Sequence, residues 1–230
     1  DTIKISAVSP VSGTECTGNC SFVTILENRL KMSVSQNIKD PIREEILRGA
    51  TELFERYGFK KTTMEDIARQ IGKSKSALYY YYKTKEEIFE AVVLQEIDKQ
   101  RMEASAAMKK VETAPEKFRI LFTSLLAGVK EKANKFSLFR AEVYENPFLL
   151  NNTMKLRDSY VEEQLRDILI LGISRQEVKM MNSSEIGLWA KMVNLTMRSL
   201  GSKLFLEDDW NISKEQLAFL ADTLFQGVAR

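Results

Sequence analysis

From residue 42 onward apolar side chains recur every three or four positions, a spacing that predicts one helix after another. Ile42, Ile46, Leu47, Ala50, Leu53, Phe54 and Tyr57 share the stripe of a first helix. Asp40-Pro41 offers it an N-cap and a first-turn proline, and Gly58 a C′ stop. A second, shorter stripe of Ile67, Ala68 and Ile71 ends at Gly72. Its start has two registers: Thr62 with Glu65 fits a capping box, and so does Thr63 with Asp66. Ser74 then opens a third helix through Tyr82, so that helix, the turn Gly72-Lys73-Ser74 and helix have helix-turn-helix spacing. A fourth helix opens at Lys85 and runs to Met108.

The remaining chain predicts helices over 115–133, 135–146, 150–172, 174–181, 183–205 and 213–228. Pro115, Pro147, Gly172 and the Glu207-Asp208-Asp209 loop punctuate them. No alternating segment of strand length follows residue 40. The expected fold class is all-α, with a helix-turn-helix three-helix domain over 40–88 and a larger helical domain over 89–230. Residues 1–39 are an irregular, Ser- and Thr-rich extension without helical periodicity, and Met32 is a candidate start that would place residues 1–31 outside the natural reading frame.

The stretch KSKSALYYYYKTKEE, residues 73–87, holds four consecutive tyrosines, which no single helix face can bury. At about 100° per residue, Leu78, Tyr81 and Tyr82 share one arc, while Ser76, Tyr79, Tyr80 and Lys83 share another. Two rings on the outer face of a short basic helix suit DNA, where tyrosine hydroxyls meet phosphates and ring faces meet thymine methyls. Small Ser76 and Ala77 let the backbone approach base edges. Packing of Tyr79 and Tyr80 against another domain or subunit is the alternative.

Charge sharpens this picture only locally. The 230 residues carry a net charge of +2, yet residues 56–85 hold eight basic residues against two acidic ones, a local net of +6. Such an excess is what a phosphate-facing surface carries. Histidine is absent and the two cysteines, Cys16 and Cys20, stand alone, so neither a zinc site nor a histidine base can be assembled. No Gly-rich phosphate loop, secretory signal or membrane-length apolar span appears. The expectation is a cytoplasmic protein that is not an enzyme and has no metal, cofactor or membrane contact.

Residues 42–90 resemble the DNA-binding domain of the TetR family of bacterial transcriptional regulators. Ala50 to Phe59 matches the family's A-x-x-L-F-x-x-x-G-[FY] helix, Thr62 to Ala68 its T-T-x-x-x-I-A helix, and Leu78 to Glu86 its L-Y-x-[YH]-F recognition helix with K-x-[EK]. The resemblance implies that Thr63 contacts a phosphate and that Lys75, Ser76 and Ala77 meet bases or phosphates. It implies that Tyr79 reaches the major groove and that Lys85 clamps a phosphate. Tyr80 and Tyr81 stand where one residue is often histidine, and either can donate to phosphate; Tyr82 stands at a core position.

The resemblance also assigns residues 89–230 to dimerisation and effector binding. Leu217, Leu220, Ala221, Leu224, Phe225 and Val228 form a stripe on the last helix that suits a four-helix interface between two subunits, or else an ordinary core. Phe136, Phe139, Tyr144, Phe148, Met154, Trp189 and Met192 are the candidate effector pocket, with Asn194 and Arg198 as polar handles. The expected function is a homodimeric, ligand-responsive repressor whose partners are a palindromic double-stranded operator, a second copy of the chain and a small-molecule effector. A helical protein–protein adaptor is the alternative.

Overall fold

Ten helices follow one another in the computed structural model, which describes residues 40–135, 137–145, 150–207 and 212–230. They are α1 (Pro41–Tyr57), α2 (Met64–Gln70), α3 (Lys75–Tyr81), α4 (Lys85–Met108) and α5 (Ala114–Leu126), then α6 (Val129–Lys135), α7 (Ser137–Glu145), α8 (Asn151–Ser174), α9 (Ser183–Leu206) and α10 (Lys214–Gln226). Among the described residues no strand forms beyond one isolated bridge, Val178 to Ala229. The all-α expectation holds. The extension before residue 40, with Cys16, Cys20 and Met32, lies outside the described residues.

Most helix starts follow side-chain chemistry legible along the chain. Ser74, Thr84, Thr113, Asn182 and Ser213 each accept a backbone N–H at the start of α3, α4, α5, α9 and α10. For α2 the second of the two registers is the real one. Thr63 and Asp66 form the capping box, and Thr62 is buried with its hydroxyl donating to the Gly58 carbonyl at 2.7 Å. Gly58 has φ +81°, the left-handed conformation its stop position requires.

Three predicted elements differ. The helix expected over 115–133 breaks at Ala127, because Gly128 turns left-handed at φ +77° and starts α6 afresh. Gly172 does not end α8; it lies inside it. A Cβ there would come within 2.5 Å of Val178 Cγ2 and 2.9 Å of Ala114 Cβ, so the glycine is a packing contact. The helix expected over 174–181 is absent. Gln176 takes φ 60°, and Lys179 N–H then bonds to the Val228 carbonyl while Arg230 N–H bonds to that of Glu177. An eight-residue segment nucleates a helix poorly, and pairing with the chain end satisfies the same backbone groups.

Residues 42–230 form one compact unit with two apolar clusters. The first joins α1, α2, α3 and the start of α4, centred on Phe54, Phe59 and Phe89, whose ring centroids lie 5.1–5.7 Å apart. The second joins α5, α8, α9 and α10 around Phe118, which contacts Phe122, Trp189 and Phe225. The 24-residue α4 gives Ile88, Phe89 and Val92 to the first cluster and Met108 to the second. The domain boundary expected at residue 88 therefore falls within a continuous helix.

The α10 stripe expected at a subunit interface faces inward. Leu217, Ala221, Phe225 and Val228 are buried in the second cluster, and Leu220 and Leu224 are partly buried against it. The reason is that α10 packs on α5, where the same stripe serves as core. Phe219, on the outer side, is 69% exposed.

Candidate nucleic-acid interface

The helix-turn-helix is α2, the turn at Gly72-Lys73-Ser74, and α3. It is fixed by Ile67 and Leu78, both buried, and Gly72 makes the turn at φ +64°. Gly49 lets α1 approach the end of α2, since a Cβ there would meet Ile71 Cγ2 at 2.5 Å. Ser74 caps α3 by accepting the Ala77 N–H at 3.1 Å.

The four tyrosines divide by depth. Tyr82 is buried in the first cluster, and Tyr81 is partly buried against it. Tyr79 is 36% exposed and Tyr80 is 79% exposed. Tyr80 meets Tyr81 edge to face at 5.2 Å, which props the outer ring upright on the helix. Arg43 of α1 lies 5.7 Å from the Tyr81 ring centre and 5.5 Å from that of Tyr82. Ser76 is exposed and Ala77 half-exposed beside them. Lys75, Ser76, Ala77, Tyr79 and Tyr80 thus lie together on the outward side of one short helix.

The basic surplus is partly engaged within the protein. Lys75 pairs with Glu65 and lies 5.7 Å from the Tyr79 ring centre. Lys73 pairs with Glu45 at 3.8 Å, and Lys83 Nζ donates to the Tyr79 carbonyl at 2.9 Å. Exposed pairs of this kind contribute about 0–1 kcal/mol, so a phosphate can displace the carboxylate.

Two residues implied as phosphate contacts hold other posts. Lys85 donates to the carbonyls of Phe59 at 2.6 Å and Thr62 at 2.8 Å, and sits 4.2 Å from the Phe59 ring centre. A third carbonyl, of Lys60, lies at 3.5 Å. With its ammonium protons directed to backbone oxygens, Lys85 is a structural tie for the loop between α1 and α2. Thr63 donates its hydroxyl to Asp66 Oδ2 at 2.6 Å and its amide to the same oxygen at 3.0 Å. The Asp66 carboxylate already takes the place an incoming anion would want. Those hydrogen bonds, the hydroxyl's first, hold Asp66 below its ordinary pKa.

The described members of the expected effector set, Tyr144, Met154, Trp189 and Met192, are not gathered at one place. Phe136 and Phe148, with the side chain of Phe139, lie outside the described residues. Tyr144 and Met192 are exposed, Met154 is half-buried, and Trp189 packs on Phe118 and Phe225, partly buried against the second cluster. The polar handles point at α8: Arg198 Nη1 donates to Asp158 Oδ2 at 2.9 Å and Asn194 Nδ2 to Glu162 Oε1 at 3.4 Å. Asn194 Oδ1 is buried with no hydrogen-bond partner.

Sequence reasoning missed Glu142, a buried acid on α7 whose carboxylate accepts the amides of Phe59 and Lys60. It is 83 residues from Phe59, and no spacing rule reaches that far.

Residues 46–92 match the family model for bacterial regulatory proteins of the tetR family. The chain is 32% identical over 90 residues to the HTH-type transcriptional repressor Rv1474c of Mycobacterium tuberculosis, covering 36% of this chain and 47% of that protein. It is 29% identical over 124 residues to the HTH-type transcriptional regulator QacR of Staphylococcus aureus, covering 53% and 65%. The matched stretches thus span about half of these curated relatives. A TetR transcription regulator of Haloarcula marismortui superposes with a TM-score of 0.63 at 17% identity, over 82% of this chain and 98% of that one, a likeness of fold. Residues 46–92 thus carry a DNA-binding domain of the tetR type, on a chain whose helical fold is like that of TetR regulators.

Proposed function

We propose that the chain is a sequence-specific DNA-binding transcriptional regulator, a homodimeric repressor released by a small molecule. The observation that carries this reading is the outward pair Tyr79 and Tyr80, on a helix whose Leu78 and Tyr82 are locked into the core. A rigid helix with two exposed rings, Ser76 at its start and Lys75 beside it is equipped for the major groove. Tyr81 serves by packing, partly buried against the first cluster. Repression is supported by the Mycobacterium relative, whose name describes a repressor.

Pairing of two chains brings two recognition helices to the two halves of a palindrome. The surface that fits this role is the apolar outer side of α9 and α10. Leu188, Met192 and Leu195 recur at helical spacing on α9 and are exposed, as is Phe219 on α10. Trp189 and Phe225 join the two helices beneath them, ring centres 6.4 Å apart. The region between α8 and α9 is our candidate for effector binding, supported by the buried Asn194 Oδ1, which has no hydrogen-bond partner and can accept a hydrogen bond.

The test is selection of bound duplexes from a random pool by the full chain. An enriched palindrome bound by two chains is the expected result. No enrichment at low salt overturns the reading and favours a protein–protein adaptor.

A further inference from the structure

The loop between α1 and α2 is gripped by opposite charges from two other helices. Glu142 of α7 accepts the Phe59 amide at 2.9 Å and the Lys60 amide at 2.8 Å. Lys85, at the start of α4, takes the carbonyls of Phe59 and Thr62 on the same loop. Gly58 makes room for the carboxylate, since a Cβ there would lie 3.0 Å from Glu142 Oε1. An ion pair between Lys60 and Glu145 repeats the contact at the end of α7, and Val143 between them enters the first apolar cluster.

Two amide donors on one buried carboxylate are charge-assisted bonds, stronger and more directional than neutral ones. Hydrogen-bond geometry tolerates only a few tenths of an ångström, so a shift of α7 by about 1 Å breaks both together. Lys85 follows α3 after a three-residue turn, so the clamped loop and the recognition helix are tied to one point.

We propose that Glu142 is a positioning residue for DNA binding: it couples α7 to the helix-turn-helix through the loop at residues 58–60. The proposal rests on the DNA-binding reading above. It gives α7 a direct mechanical route to the helix-turn-helix.

The experiment compares the full-length wild type with E142A and E142Q. Amide exchange at Phe59 and Lys60 is read by NMR, and affinity for the duplex enriched by the wild type is read across salt concentrations. Stoichiometric titration first fixes the active fraction of each variant, so that loss of folded protein does not count as loss of affinity. In E142A the two amides exchange about tenfold or more faster, as loss of a charge-assisted bond requires. Affinity falls about fivefold or more, the lower end of coupling between sites. The salt slope is unchanged, because no phosphate contact is removed. E142Q, which keeps one carbonyl acceptor, falls between. Amides as protected in E142A as in the wild type overturn the proposal, and so does unchanged affinity despite faster exchange. If E142A does not fold, E142Q decides alone: an intermediate affinity supports the proposal and wild-type behaviour overturns it. A wild type that enriches no duplex overturns the regulator reading and this proposal with it, whereas normal wild-type binding with indifferent variants overturns the proposal alone.

Discussion

Lys75 and Lys85 look alike in the sequence, ten residues apart on a basic stretch, and the structure gives them opposite work. Lys75 is held by an exposed ion pair to Glu65, which phosphate can replace. Lys85 is held by backbone carbonyls and the Phe59 ring, which nothing replaces. Lys75→Met should therefore lower the salt slope of DNA binding by about 0.9, one phosphate contact, with an unchanged melting temperature. Lys85→Met should instead destabilise the fold by about 2 kcal/mol, read by denaturant unfolding, through loss of charge-assisted bonds to carbonyls. The tyrosines separate in the same way. Tyr80→Ala should melt within about 0.5 kcal/mol of wild type while relaxing sequence preference in a selection experiment. Leu78→Ala should cost about 2–5 kcal/mol of stability. Asp66 carries a pH dependence. Its folded pKa lies below the ordinary 3.8 because Thr63's hydroxyl and amide bond the carboxylate. The stabilisation is therefore present above the unfolded pKa and is lost as pH falls through the folded value. Asp66→Asn should flatten the acid limb of melting temperature against pH below about pH 4, and an unchanged limb would refute the assignment.

At the scale of elements, local chemistry carried far. The N-cap at Ser74, the stop at Gly58 and the stripes of α1 and α2 were readable because each depends on residues within four positions. The division of the tyrosine run was readable for the same reason: buried Leu78 and Tyr82 are one turn apart. Less was legible where two distant segments meet. Gly172 reads as a stop from composition, yet it is a contact point for Val178 and Ala114 inside α8. Gly172→Ala should destabilise by about 1–3 kcal/mol, through overpacking rather than helix propensity, which alone would favour alanine. A stabilised variant in thermal melts would show that the contact relaxes freely. The α10 stripe was legible as a stripe, but its periodicity is the same whether it faces α5 or another subunit.

Residues 42–230 join two apolar clusters through α4, and Glu142 ties α7 to the loop between α1 and α2. The outward apolar surface on α9 and α10 is the surface proposed above for a second copy. Changing Leu188 and Leu195 together to Glu, both exposed at present, should leave the melting transition in place and convert a dimer to a monomer in analytical ultracentrifugation. The same double variant should lose high-affinity binding to a two-half operator while retaining weak binding to a half-site, since one recognition helix per chain remains. An unchanged sedimentation coefficient would place the interface elsewhere.

The sequence by itself determined the helical class, the helix-turn-helix with its resemblance to the TetR family, and which two tyrosines face outward. Each follows from side chains within a turn or two of one another, where backbone geometry fixes direction. Only the tertiary structure decided that Lys85 grips carbonyls of the loop between α1 and α2, that Thr63 caps α2 with Asp66, that the α10 stripe is core, and that Glu142 holds the same loop as Lys85. Those outcomes depend on which distant groups claim a donor, an acceptor or a face, and packing settles that competition.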